Sequence, residues 1–425
     1  MKTIEKRTHA GLVVVTVAAM FAILLLSTGI VKADGYRNPP EGASALGRGG
    51  ASYAYGDDIT TLFHNPAVMT DIQEPTAAVT FTVPYAKTTF TAPDGTSEDT
   101  EQLSILPGLF GVVPVSGGAC AVGIGIDSPY GQAMEWDKDG VFAGLAPYFA
   151  KMTTVNVNPA VGVKFGQRIA LGVGLDVMRA DLEFRQVFPW PVGGMSSKLS
   201  FQGDGYGIGG NASMSAELSP RQRVALSYRT PVDVHAEGDF YMDNPPPAAA
   251  LPPGFTPSTS FKTDLHFPAV AALAYGVKAT DELRLEANVE WVQHSLNDAM
   301  SIDIANDNSL LVATRGTTSV AQKWDDTWTV SVGADWQVAD HWTLRAGWTW
   351  LPTPVPDETL IPILPESDRH ILGLGLGFKS ESQAIDLAYA YSITSDRTID
   401  SPENPVKGTY ETQPHLFALT YSYAF

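Results

Sequence analysis

The chain has 425 residues, 44% hydrophobic and 17% charged, which suits a large core or a lipid-facing band better than a charged soluble surface. A net charge of −19 argues against nucleic acid as a partner, because phosphate contacts need clustered Lys and Arg. A single cysteine, Cys120, excludes an internal disulfide and reads as a small apolar strand residue.

In chain order, residues 1–33 have the layout of a secretory leader. Lys2, Lys6 and Arg7 form a basic start, Ala10 to Val31 is apolar, and Val31-Lys32-Ala33 is an acceptable cleavage site before Asp34. The apolar run is long for a leader, so an uncleaved anchor helix is the alternative. After Asp34 no apolar stretch approaches the ~20 residues that a spanning helix needs. An exported chain of this kind stays soluble or crosses the outer membrane as a barrel.

Residues 34–75 read as neither strand nor spanning helix. Gly47, Gly49, Gly50 and Ala51 permit close backbone packing, Thr60 to Phe63 suits a short helix, and Asn65-Pro66-Ala67 is turn chemistry. The expectation is a periplasmic-side hatch filling the lumen of a wall built from residues 76–425, with Arg48 and Asp57-Asp58 as anchors to that wall.

From Thr76 onward the pattern has period two. Phe417, Leu419, Tyr421, Tyr423 and Phe425 share one face, with Ala418, Thr420, Ser422 and Ala424 on the other. Leu372, Leu374 and Leu376 alternate with glycines; Trp328, Val330 and Val332 alternate with Thr and Ser. About fourteen such segments are expected. Short connections, such as Ser116-Gly117 and Ser219 to Arg221, alternate with long ones near 85–103, 128–152, 184–199, 237–262, 297–325, 352–368 and 395–414. This predicts an all-β transmembrane barrel of about 14 antiparallel strands, with large apolar residues facing lipid and both termini periplasmic. Arg229, Asp233, Arg284, Glu286, Glu290, Asp335, Arg345 and Asp386 are then expected to face the lumen.

The third long loop holds Val141, Phe142, Leu145, Tyr148 and Phe149. An apolar cluster in a loop points to a capture surface for a hydrophobic molecule, or to packing of the loop onto the barrel top. Acidic loops such as Asp137 to Asp139 suit lipopolysaccharide-bridging cations or plain solvation, and no metal-ligand spacing is present. No cofactor is expected. An outer-membrane enzyme is disfavoured: His294, His370 and Asp325-Asp326 lie near predicted rims, but without a nucleophile motif or a metal-spaced His pair. A non-selective porin would lack the hatch.

The ordered set Ala45-Leu46-Gly47-Arg48-Gly49, Asp57-Asp58, Asn65-Pro66-Ala67, Ser128-Pro129-Tyr130-Gly131, Leu344-Arg345-Ala346-Gly347, Pro365 to Arg369 and the terminal Phe425 resembles the FadL family of outer-membrane transporters for long-chain fatty acids and other hydrophobic compounds. The resemblance spans the mature chain. It implies a fourteen-stranded barrel with a hatch and a hydrophobic small molecule as partner. It also implies capture between long loops, with Phe142, Leu145 and Phe149 as candidates here, and an internal site reached by Tyr36 near the mature N-terminus. Arg179 would lie near the ligand carboxylate, or else at a lipid headgroup. Release would run sideways into the membrane beside a kink in the third strand, Ala119 to Asp127, whose Gly123 and Gly125 would form the lateral gate. The other expected neighbours are outer-membrane lipid and lipopolysaccharide, with the chain as a monomer.

Overall fold

The computed structural model describes residues 35–190, 194–245, 247, 256–305 and 319–425. The expected leader, residues 1–33, lies outside them, as does part of the loop expected at 297–325. Among the described residues no helix is long and apolar enough to cross a membrane. The crossing element is a closed sheet.

Fourteen antiparallel wall strands form that sheet. In order they are Thr76–Thr91; Ser97–Leu103 with Leu106–Val115; Cys120–Asp127 with Gly131–Glu135; Phe149–Phe165; Ile169–Pro189; Ser196–Ser219; and Gln222–Arg229 with Val232–Met242. The second half comprises Ser258–Phe267 with Val270–Lys278; Leu283–Val292; Thr327–Ala339; Trp342–Leu351; Arg369–Lys379; Gln383–Thr394; and Gly408–Ala424. The first strand pairs with the last from Thr76↔Ala424 to Thr91↔Thr409, so the cylinder has no free edge. Phe425 N–H donates to Pro75 O at 2.9 Å, which ties the C-terminus to the start of the first strand.

The apolar band follows the pleat. Leu171, Val173 and Leu175, Leu372, Leu374 and Leu376, and Phe417, Leu419 and Tyr421 all point outward. The lumen face carries Asn156, Asn158, Ser213, Ser227, Asn288, Thr329 and Ser331, all buried.

Several strands run well beyond the expected boundaries, so much of 85–103, 184–199, 237–262 and 395–414 is hairpin rather than loop. The reason is an inversion of polarity. In the outer half of the sixth to eighth strands, Phe201, Phe240 and Phe261 turn inward into one cluster, while Gln202, Asp204, Glu237, Asp239, Lys262 and Asp264 turn outward. These strands have risen out of the apolar layer, so the outward side chain that water favours is polar and the apolar-out template stops matching.

Asp233 is a second correction. It faces outward and contacts His266, Nδ1 to Oδ1 at 2.7 Å. The seventh strand is interrupted at Thr230-Pro231, so the alternation slips by one: Arg229 and Val232 both face in. A one-residue slip moves every following side chain to the other face.

Candidate functional site

Residues 41–72 pack inside the cylinder. They form one short helix, Ala43–Gly47, and two 3-10 turns, Ile59–Leu62 and Pro66–Asp71. Asp58 caps the first 3-10 turn by accepting from Thr60 N at 3.0 Å. Asn65 caps the second through Ala67 N at 3.0 Å and donates Nδ2 to Tyr53 O at 2.6 Å, which makes Asn65-Pro66-Ala67 a pinned corner.

The wall receives this segment through polar groups and missing side chains. Glu286 accepts from Tyr53 N and Ala54 N at 2.6 and 2.9 Å; Ser213 Oγ accepts from Ala67 N at 2.9 Å; Ser227 Oγ donates to His64 O at 2.7 Å. A Cβ on wall residue Gly347 would stand 2.0 Å from the Arg48 carbonyl group, and one on Gly172 would stand 2.2 Å from Ala67 N. Gly47 sits against wall residue Gly375 in the same way, a Cβ there meeting its Cα at 3.0 Å.

Charges close the periplasmic end. Arg48 Nη1 lies 3.1 Å from Asp335, Arg345 Nε 2.8 Å from the same carboxylate, and Arg345 Nη1 2.5 Å from Asp386. Arg284 contacts Asp335 and also reaches Asp57 at 2.8 Å. Three guanidiniums and three carboxylates thus link the inner segment to four wall strands.

Above the inner segment lies a cavity of about 110 Å³. Leu46, Phe63, Tyr130, Val270, Ile371 and Leu416 supply apolar lining, and Arg37, Glu41, His64, Arg229, Glu290 and Arg369 supply the ionisable groups. Burial, with Arg229 and Arg37 nearby, pushes the His64 imidazole down to about 3, so it is neutral. Burial and the neighbouring Asp127 raise Glu41 well above the usual carboxylate range, against a hydrogen bond from the Ser128 backbone. Phe90, Trp136, Phe142, Tyr148, Trp324 and Tyr410 belong to a separate buried cluster, against which Tyr36 packs.

At one side of the cavity the wall ladder opens. The second and third strands pair from Val115↔Cys120 only as far as Leu109↔Ile126. Beyond that point the second strand continues on the first, through Leu103↔Tyr85, and the third continues on the fourth, through Gly131↔Thr153. On the fourth-strand side, residues 128–130 stand opposite only 154–155, which is a bulge. The N-terminal residues fill the gap from inside: Asn38 N donates to Pro129 O at 2.9 Å and Gly131 N to Tyr36 O at 2.7 Å, around a bridge between Arg37 and Tyr130.

The sequence-derived candidates fall in different places. Tyr36 is inside, its ring 4.7 Å from Trp324 and its hydroxyl accepting from Gln322 Nε2 at 2.8 Å; burial pushes the phenol up to about 12. Phe142 is fully buried in the aromatic cluster, 4.7 Å from Phe90 and 5.0 Å from Trp136. Phe149 is half-buried under the Arg185 guanidinium at 4.4 Å, and Leu145 is exposed at the loop tip. The three do not form one open groove, because the loop folds its aromatic residues down onto the barrel top.

Arg179 points outward, 2.7 Å from Asp181 and 3.5 Å from Asp204, beside Tyr206 at the upper edge of the apolar band. It is not brought to the cavity. Gly123 and Gly125 lie in regular ladder, where a Cβ would collide with Leu62 or Met69 of the inner segment or crowd Phe110. The break falls instead at Ser128 to Tyr130. Arg37, Glu41 and Tyr130 were missed as lining residues; the pre-proline position of Ser128 and the following Gly131 were the available signal.

The fold and the site together define an outer-membrane barrel of the transport class, occupied from within by its own N-terminal segment. A family model described as "Outer membrane protein transport protein (OMPP1/FadL/TodX)" matches residues 24–425, and the chain belongs to that family. It is 24% identical over 437 residues to a 47 kDa outer membrane protein of Pasteurella multocida, covering 96% of this chain and 98% of the relative. It is 22% identical over 452 residues to the long-chain fatty acid transport protein of Escherichia coli K12, covering 96% and 98%. Among solved structures, a Pseudomonas aeruginosa FadL homologue superposes with TM-score 0.81 at 21% identity, covering 92% of this chain and all of that one. The Pseudomonas putida toluene transporter TodX superposes with TM-score 0.74 at 13% identity, covering 92% and 100%.

Proposed function

We propose that this protein admits hydrophobic small molecules, of the fatty-acid or hydrocarbon type, through the outer membrane. They reach the cavity above the inner segment and leave sideways into the apolar layer. The observation that carries this reading is the unpaired interval between the second and third wall strands. It lies beside cavity-lining Pro129 and Tyr130 and is filled by Tyr36 to Asn38. Straight passage is disfavoured, because residues 41–72 and their ion pairs occupy the lumen below the cavity. A sideways exit delivers an apolar molecule directly to a solvent that accepts it. In this reading residues 34–75 act as a hatch and residues 76–425 as the transporting wall, working as a monomer among outer-membrane lipid and lipopolysaccharide.

The test is uptake of radiolabelled oleate and of toluene by cells lacking their own hydrophobic transporters, alongside planar-bilayer conductance of the purified chain. Faster uptake of at least one compound with negligible steady conductance supports the proposal. A large, steady ion conductance without uptake points to a general porin and sinks it.

A further inference from the structure

The cavity is lined by three guanidiniums, and each already has a carboxylate. Arg37 Nη2 lies 2.8 Å from Glu290, Arg229 contacts Asp176, and Arg369 Nη2 lies 3.6 Å from Glu366. The acids are themselves held in place. Asp176 is fully buried and accepts from Asn158 and Asn211 at 3.0 Å each, while Glu290 accepts from Asn288 at 3.3 Å. Arg229 spends its other nitrogen on Phe63 O at 2.7 Å. Glu41 joins Glu290 as a second buried acid in the lining itself, and His64 contributes no charge at neutral pH.

A buried carboxylate ligand needs a cation or several donors of its own. To engage an arginine here it would have to displace Glu290, Asp176 or Glu366, leaving that acid uncompensated in a desolvated site. An uncharged molecule faces no such exchange and gains the apolar lining of Phe63, Tyr130, Val270 and Ile371. We infer that the internal site selects uncharged hydrophobic molecules over carboxylate anions, its arginines serving as structural ion pairs rather than as anion receptors. The inference rests on the reading of this cavity as the ligand site.

Toluene and benzoate test it, since they share a ring and differ at one substituent in charge. Equilibrium binding of each radiolabelled probe to the purified full chain at neutral pH is measured against a detergent blank. Saturable toluene binding, with benzoate at least ~10-fold weaker, is expected. Glu290→Gln removes the carboxylate charge that faces Arg37 and should shift the benzoate-to-toluene affinity ratio towards benzoate by about 10-fold or more; Glu366→Gln should do the same beside Arg369. Retention of the heat-modifiable barrel band on gels confirms folding, and the wild-type comparison stands without either variant. Benzoate binding as tight as toluene in the wild type overturns the inference and leaves the transport reading intact. An unmoved ratio in both folded variants also overturns it. If neither probe binds, the inference falls, and the oleate and toluene uptake measurement decides the transport reading separately.

Discussion

Arg48 of the inner segment reaches Asp335 of the tenth wall strand across 3.1 Å, both side chains buried, at a point where Arg284 and Arg345 converge on the same carboxylate. This contact makes the inner segment part of the wall rather than a loose occupant. Removing one partner of a buried, networked pair leaves the rest under-compensated. Arg48→Ala is expected to cost about 3 kcal/mol in denaturant stability and to raise single-channel conductance as the segment loosens. Wild-type conductance in the variant would show that the pair does not hold the segment.

Gly347 tests the steric side of the same anchoring. An added Cβ there meets the Arg48 carbonyl group at 2.0 Å, backbone against backbone, with no flexible side chain to yield. Gly347→Ala should therefore push the segment off the wall at a cost of about 3 kcal/mol. At Gly111 an added Cβ meets nothing nearer than Ile124 Cγ2 at 3.9 Å beyond its chain neighbours, so Gly111→Ala should be nearly silent. Hydrogen exchange of residues 43–50 separates the two, and equal protection in both variants would contradict the close-approach argument.

Acid should loosen the inner segment through His64. Its folded pKa, about 3, lies below the ordinary 6.5, so between these values the unfolded segment binds a proton that the packed one does not. The packing contribution is therefore complete above pH 6.5 and declines as pH falls towards 3, by about 2 kcal/mol between pH 6.5 and 5. Glu41, raised by burial, works in the opposite sense above pH 4.5, so the comparison must be made with His64→Gln. The difference between wild type and variant in exchange protection of residues 59–71 should grow steadily below pH 6.5. A pH-independent difference would rule this out.

The bulge at residues 128–130 should be needed for delivery. Three residues stand opposite two on the fourth strand, so deleting Pro129 lets the third strand run on in register. Removing its imide also restores a ladder donor. Uptake of the hydrophobic probe is expected to fall at least ~10-fold while the barrel still assembles, because pairing can close the interval. Undiminished uptake by the deletion variant would place the exit elsewhere.

The wall was legible because lipid imposes one rule on every strand within it. Large apolar side chains must face out, and Leu372, Leu374 and Leu376 or Phe417, Leu419 and Tyr421 obey it without tertiary information. The rule fails where its cause fails. Above the apolar layer, Phe201, Phe240 and Phe261 face in and Asp204 faces out, so the outer hairpins read as loops.

The glycine-rich inner segment was legible in kind, since Gly47 and Asn65-Pro66-Ala67 suit close packing and turns. Its wall partners were less so. Gly333, Gly347 and Gly373 looked like filler between large residues, and only their position opposite Leu46 and Arg48 reveals a docking surface.

By itself, the chain's order of residues determined a membrane barrel, its outward face and the presence of a packed segment ahead of it, because each follows from local period or local composition. Tertiary structure alone decided that Arg179 stands outside, that the wall opens at Ser128 to Tyr130 rather than at Gly123 and Gly125, and that Arg37 meets Glu290. Those outcomes depend on a one-residue bulge and on partners 253 positions apart, and neither leaves a periodic trace in the sequence.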